Sequence, residues 1–303
     1  MDMEKFAEAV LRKIREKADG RLNAWTVETP KNNGARRMGI TLAPESGGSA
    51  PCFYLESYWQ AYQTGGKMLP EIAGEIYQDL LEYQDCMPKI DTTDFLYWEN
   101  IKSHIYARLV NAEKNRELLR EVPCRGFLDL AVVYYVRVPV CGTRIGTILV
   151  NNCHMALWEQ DEESLYRTAV TNMRMDGMPD FRDMGSILKD TASEITGTWE
   201  NEDIFPATDM YVLINRFRKF GAAEILNKDA LKVIAGKIGD GYVILPCSVH
   251  EVIILPSRRQ EEYPALAGMV REINAVYVEQ EEQLSDHIYA YRQNGHGELQ
   301  LVA

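Results

Sequence analysis

Apolar residues at the start of the chain recur at helical spacing. Between Glu4 and Ala18, Phe6, Val10, Leu11 and Ile14 share one face, and Asp19-Gly20 ends the run. An amphipathic helix is expected there. Trp25–Glu28 and Arg37–Leu42 alternate as strands do, and Asn32-Asn33-Gly34 between them tolerates the positive φ of a hairpin turn. Cys52–Tyr58 is rich in aromatic residues and reads as a further strand. Pro70 then opens a helix that carries Ile72, Ile76, Leu80 and Leu81.

From Asp94 to Val122 the spacing of Phe95, Trp98, Ile101, Ile105, Leu109, Leu118 and Leu119 predicts one bent helix or two helices, with a polar stretch at Asn111–Arg116. The clearest strand is Phe127–Val138. Leu128, Leu130, Val132, Tyr134, Val136 and Val138 share a face, while Asp129 and Arg137 fall on the other. Arg144–Val150 is its expected partner across Cys141-Gly142, and Asp161–Met175 returns to helix.

Periodicity fades between Lys189 and Asp209, which marks a domain boundary near 190–208 and divides the chain into 1–195 and 206–303; a single domain also fits. Beyond it the pattern predicts strands at Met210–Ile214, Tyr242–Leu245 and Val252–Leu255 and helices at Asp229–Ile238 and Pro264–Val276. A hairpin of Asp286–Tyr291 and Glu298–Val302 is expected around Asn294-Gly295. Strands and helices interleave without a strict βαβ rhythm. The expected class is α+β, with mixed or antiparallel sheets and packed amphipathic helices.

Composition narrows the function classes. No apolar run approaches the roughly 20 residues a membrane-crossing helix needs, and the N-terminus, with Asp2, Glu4 and Lys5, lacks the pattern of an export signal. Six cysteines without CxxC pairing point to free thiols and a cytoplasmic setting. A net charge of −12 disfavours nucleic-acid or anionic-membrane binding. The basic groups Arg12, Lys13, Arg15, Lys17 and Arg216, Arg218, Lys219 are short and read as solvated surface.

The densest chemistry is Cys247-Ser248-Val249-His250-Glu251, which places a thiol, a hydroxyl, an imidazole and a carboxylate within five residues. In an extended segment Ser248 and His250 face one way and Cys247 and Glu251 the other, and no GxSxG elbow surrounds Ser248. Ser248, His250 and Glu251 are therefore catalytic candidates set against a structural loop. Asp286 and His287 are the binding candidates. Cys153, His154, His250 and His287, with Asp286 or Glu251, have metal-ligating chemistry without HExxH or CxxC spacing, so no metal site is assigned. Gly236, Gly239 and Gly241 follow a helix and precede a strand, the reverse of a dinucleotide fingerprint, and no cofactor is expected. Phe53, Tyr54, Tyr58, Trp59 and Tyr62 read as core, or as a partner or ligand surface where some of them point outward from a strand. The acidic stretches Glu159–Glu163, Glu200–Asp203 and Glu279–Glu282 read as solvated loops, or as a DNA mimic if aligned on one face.

Several segments together carry a family resemblance: Pro51–Tyr58, Met210–Asn215, Gly221-Ala222-Ala223, Tyr242–Pro256 with its I-L-P and S-V-H-E motifs, and the L-S-D-H-I-Y run Leu284–Tyr289. Over most of its length the chain resembles the bacterial domain-of-unknown-function family numbered 5688, common in anaerobic Gram-positive gut bacteria and their mobile elements. The resemblance implies an intracellular bacterial protein and assigns no reaction or cofactor. Cys247 stands where the resemblance leads one to expect a second serine. The leading expectation is a non-enzymatic binding or interaction protein with an unknown protein or small-molecule partner. The alternatives are a hydrolase-like enzyme using Ser248, His250 and Glu251, and an acidic DNA-mimic inhibitor.

Overall fold

The computed structural model describes residues 1–19, 22–44, 50–86, 94–139, 145–196, 209–239, 241–256, 259–293 and 297–303. The first elements are α1 (Met3–Ala18), β1 (Leu22–Pro30), β2 (Arg36–Pro44), β3 (Cys52–Tyr54), α2 (Glu56–Gln63) and α3 (Leu69–Cys86). There follow α4 (Trp98–Ile101), β4 (Ile105–Asn111), α5 (Leu118–Glu121), β5 (Cys124–Phe127), β6 (Leu130–Pro139), β7 (Ile145–Leu149), α6 (Asn152–Trp158) and α7 (Glu162–Met175). The remainder comprises β8 (Asp180–Asp183), α8 (Met184–Thr196), β9 (Tyr211–Ile214), α9 (Lys228–Ile238), β10 (Gly241–Leu245), β11 (Glu251–Pro256), α10 (Tyr263–Tyr277), β12 (Tyr289–Arg292) and β13 (Glu298–Leu301). These strands form three antiparallel sheets among helices, an α+β protein. No helix among the described residues is long and apolar enough to cross a membrane.

Two compact units emerge, Met1–Phe95 with Arg137–Thr147, and Leu96–Val136 with Ile148–Ala303. In the first, the Asp2 carboxylate accepts the Lys5 backbone N–H at 2.9 Å and caps α1. The buried stripe Phe6, Val10 and Ile14 packs with Ile40, Leu42, Leu55, Ile72, Ile76 and Leu80. Each such side chain contributes about 1.5–3 kcal/mol through burial. The β1–β2 hairpin turns through Asn32–Gly34, where Asn33 and Gly34 take positive φ, as the sequence leads one to expect. The strand expected over Cys52–Tyr58 stops at Tyr54 instead. Tyr58, Trp59 and Tyr62 sit on one face of helix α2, with the Trp59 and Tyr62 rings 4.9 and 5.3 Å from that of Phe6. Packing on Phe6 outweighs the β propensity of the aromatic residues.

In the second unit the helical expectation for Asp94–Val122 fails at its centre. Ile105–Asn111 is strand β4, paired with β6 from Ile105↔Val136 to Asn111↔Leu130. A strand buried on both faces shows a nearly continuous apolar run, which spacing alone does not separate from a buried helix. The expected strand Phe127–Val138 is a hairpin's second arm and turn. β5 and β6 pair at Phe127↔Leu130, which leaves Leu128-Asp129 as a two-residue turn with Leu128 at φ 55°. β7 pairs with β6 as expected, and its turn at Cys141-Gly142 lies outside the described residues.

The third sheet has the order β13-β12-β10-β11-β9-β8. β8 pairs with β9 from Asp180↔Ile214 to Asp183↔Tyr211, so strands from either side of residues 190–208 share one sheet. Most of that expected boundary lies outside the described residues. α10 covers the sheet, with Tyr263, Ala267 and Val270 among Val243, Leu245, Leu255 and Ile288. The β12–β13 hairpin forms, and its Asn294-Gly295 turn is likewise outside the described residues.

Candidate functional site

The two most chemical stretches of the sequence are neighbours in space. After β10 the chain continues extended, and residues 246–249 run beside 282–285. The Ser285 N–H donates to the Pro246 carbonyl at 3.0 Å, Leu284 N–H to Cys247 O at 3.2 Å and Val249 N–H to Glu282 O at 2.8 Å, with Ser248 bridged to Gln283. This ribbon carries Ser248 on one strand and Ser285 on the other, with His250 just beyond the first and Asp286 and His287 just beyond the second.

Its polar side chains fall into separate clusters. Ser248 is buried, and its Oγ accepts the His250 backbone N–H at 3.0 Å. The His250 Nδ1 accepts the Phe220 backbone N–H at 3.2 Å, and its Nε2 lies 3.6 Å from the Glu282 carboxylate. Glu251 begins β11 opposite Ile214. The hydroxyl of Ser248 thus serves a turn, the imidazole serves a loop, and the carboxylate that faces that imidazole is Glu282 instead of Glu251. Cys247 is buried, and burial, then Glu251 and Asp286, push its thiol up to about 11, so it is uncharged at neutral pH.

The second cluster centres on a residue that no motif marked. Asp129, at the β5–β6 turn, accepts hydrogen bonds from Ser285 Oγ at 2.6 Å and from Tyr289 OH at 2.6 Å. His287 Nδ1 stands 3.0 Å from the same carboxylate. The Ser285 hydroxyl in turn accepts the His287 backbone N–H at 2.9 Å. Burial raises the Asp129 carboxyl, but the hydrogen bonds of Ser285, Tyr289 and His287 outweigh it and hold the group below its ordinary value. Burial, then the Asp129 charge, push the Tyr289 phenol upward, so it stays a donor. In the neutral tautomer that donates from Nδ1 to Asp129, the His287 ring presents Nε2 as an acceptor, and the side chain is 49% exposed.

Asp286 is held from two sides. The buried Asn274 of α10 donates to its Oδ1 at 2.8 Å and to the Ser285 carbonyl at 2.9 Å, and Lys114 Nζ lies 3.4 Å from its Oδ2. Asn111, at the end of β4, donates to the Leu284 carbonyl at 3.1 Å. The segment 284–289 is therefore anchored on β4, α10 and the β5–β6 turn. A shallow groove of about 300 Å³ lined by Lys102, Ser103, Arg167, Thr168, Thr171 and Asn172 contains none of these residues.

The remaining candidates have structural partners. His154 completes a capping box with Asn151 and stacks on Trp158 at 5.4 Å. Gly239 ends α9 at φ 116°. Among the described residues no group of three or more His, Cys, Asp or Glu could hold a metal ion. In the acidic stretch 159–163, Glu162 and Glu163 both bind Arg125, giving mixed charge there; Glu200–Asp203 lies outside the described residues.

The fold is α+β, and the ribbon that joins residues 246–249 to 282–285 links the S-V-H-E and L-S-D-H-I-Y stretches. The chain belongs to the family of unknown function DUF5688, whose sequence profile matches residues 3–293. No curated protein and no solved structure matches the chain.

Proposed function

We propose that this protein acts by binding, and that the ribbon around His287 is its recognition element. The observation that carries this reading is the half-exposed His287 ring, fixed on Asp129 while Asp129 is itself fixed by Ser285 and Tyr289. A side chain oriented before its partner arrives loses little freedom on binding. Both serine hydroxyls support it: Ser248 and Ser285 each accept a histidine's backbone N–H, and neither donates to an imidazole, so neither is activated as a nucleophile. The partner is a small molecule or peptide with a hydrogen-bond donor for Nε2. The setting is the bacterial cytoplasm, supported by the free cysteines Cys52, Cys124, Cys153 and Cys247.

A second reading rests on the carboxylate–imidazole pair itself. Asp129 can support His287 as a general base, as such pairs do in enzymes.

Both are tested by NMR of the His287 ring against a small-molecule fragment set, with activated ester and phosphate-ester turnover measured in parallel. Fragments that shift the His287 signals, with binding lost in H287A, support recognition. Turnover that H287A removes replaces it with the enzyme reading. A silent His287 ring excludes the ribbon as the binding element.

A further inference from the structure

Arg108 lies mid-way along β4, opposite Val133, on the same sheet face as Tyr106 and Tyr135. Its guanidinium carbon is 5.0 Å from the centre of the Phe220 ring, which meets Tyr135 edge-on at 5.2 Å and lies parallel to His250 at 5.6 Å. The Nε atom has less than 1 Å² open to solvent and no hydrogen-bond partner, whereas the Nη pair is not sealed in this way. Burial pulls its pKa down to about 10, with a small upward effect from Tyr135 and none from any carboxylate. The group is still a cation at neutral pH.

Four other arginines of this unit show the usual arrangement, each beside a carboxylate. Arg125 binds Glu162, Arg174 faces Asp229, Arg182 binds Asp190 and Arg216 binds Asp176. Among these five, Arg108 is the one with a sealed nitrogen and, among the described residues, no carboxylate beside it. An enclosed cation with no acid beside it is costly, and arginine cannot escape by losing its proton.

The wall opposite is built to stay in place. Asn215 Oδ1 accepts the Phe217 and Lys219 backbone N–H groups at 3.1 and 3.2 Å, and its Nδ2 donates to Lys219 O at 2.7 Å. Arg218 and Phe220 take positive φ, 51° and 56°. Such strain in side-chain-bearing residues collects where geometry serves a ligand. The same loop brings Lys219 Nζ to 5.7 Å from the Phe220 ring centre and exposes Arg216 and Arg218, in a chain of net charge −12.

We propose that Arg108 anchors an oxyanion-binding site whose ligand is a small molecule bearing a carboxylate or phosphate group, seated on the Nη edge beside Phe220. The guanidinium fork suits two-point contact with either oxyanion, and the ring supplies an apolar wall. This site is separate from the His287 reading and does not depend on it.

The test is NMR of the arginine 15Nε–1Hε signals of the full chain, titrated separately with inorganic phosphate, acetate and chloride. A saturable Arg108 shift with phosphate, acetate or both, and none with chloride, is expected; which probe acts tells a phosphate ligand from a carboxylate. R108K, which keeps the charge and loses the fork, should bind roughly tenfold more weakly. R108M should lose any oxyanion-induced rise in Tm, yet match or exceed the wild-type Tm in oxyanion-free buffer, because an apolar side chain replaces an unpaired charge. Absence of a saturable shift with either oxyanion, or a shift that chloride reproduces, overturns the proposal, whether or not R108M folds.

Discussion

The rings of His250 and Phe220 lie parallel, 5.6 Å apart, while the imidazole Nδ1 accepts the Phe220 backbone N–H. The contact ties the strand before β11 to the strained loop after β9. Gly221, the next residue, has no room for a side chain: a Cβ would come within 2.5 Å of the His250 carbonyl oxygen and 2.7 Å of the Asn215 nitrogen. Both obstacles are backbone. G221A is expected to cost about 2–4 kcal/mol in urea unfolding. H250A, which removes one stacked ring and one acceptor, should cost about 1–3 kcal/mol.

Removing the charge at Asp129 should be felt by three donors at once. D129N is expected to lower stability by about 2 kcal/mol or more at neutral pH. Because the folded carboxyl titrates below its unfolded value of about 3.9, its stabilisation is complete above that pH and is lost as pH falls through the lowered folded value. The acid limb of a stability–pH curve should therefore be flatter in D129N than in the wild type.

Leu128 holds φ 55° with its side chain largely exposed. A left-handed leucine stores about 1–2 kcal/mol of strain; glycine relieves it, and its larger unfolded-chain entropy offsets part of the gain. L128G should be neutral to stabilising by up to about 1 kcal/mol, and L128V destabilising, as measured by chemical denaturation.

In the first unit Ile14 is fully buried on α1. I14A removes its packing against the neighbouring core and should cost about 2–5 kcal/mol, read as a fall in Tm.

Thiol reactivity gives an independent check on the ribbon. Cys247 is 6% exposed and pushed up to about 11, while Cys153 is exposed. Timed alkylation followed by mass spectrometry should modify Cys153 readily. Cys247 should lag an ordinary thiol by on the order of a hundredfold from thiolate fraction alone.

What the sequence revealed and what it hid have local causes. α1, α3, α7, α9 and α10 each bury one stripe and the β1–β2 arms alternate, so spacing found them; β10 and β11 stood out as short apolar runs, and β12–β13 through the Asn294-Gly295 turn signal. β4 was hidden because Ile105, Tyr106, Ala107, Leu109 and Val110 are all buried, erasing the period of two and removing Arg108 from view as a strand residue. Asp286 and His287 were legible as chemistry through L-S-D-H-I-Y, but the centre of their cluster was not. Asp129 is one carboxylate in a two-residue turn, with its partners far along the chain. The nearest signal is local: Leu128-Asp129 falls just after Gly126 and just before the alternating run that starts at Leu130, where a hairpin turn was open to recognition.

Asp129 and Tyr289 are 160 positions apart. At roughly 5–20 residues per second, a ribosome takes about 8–32 s to make the chain between them. During that interval the β4–β6–β5 sheet can form, while the Asp129 carboxylate still lacks Ser285, His287 and Tyr289. The cluster that fixes His287 is thus assembled late in synthesis, and the histidine receives its orientation only once the chain carrying it has folded back onto a turn made long before.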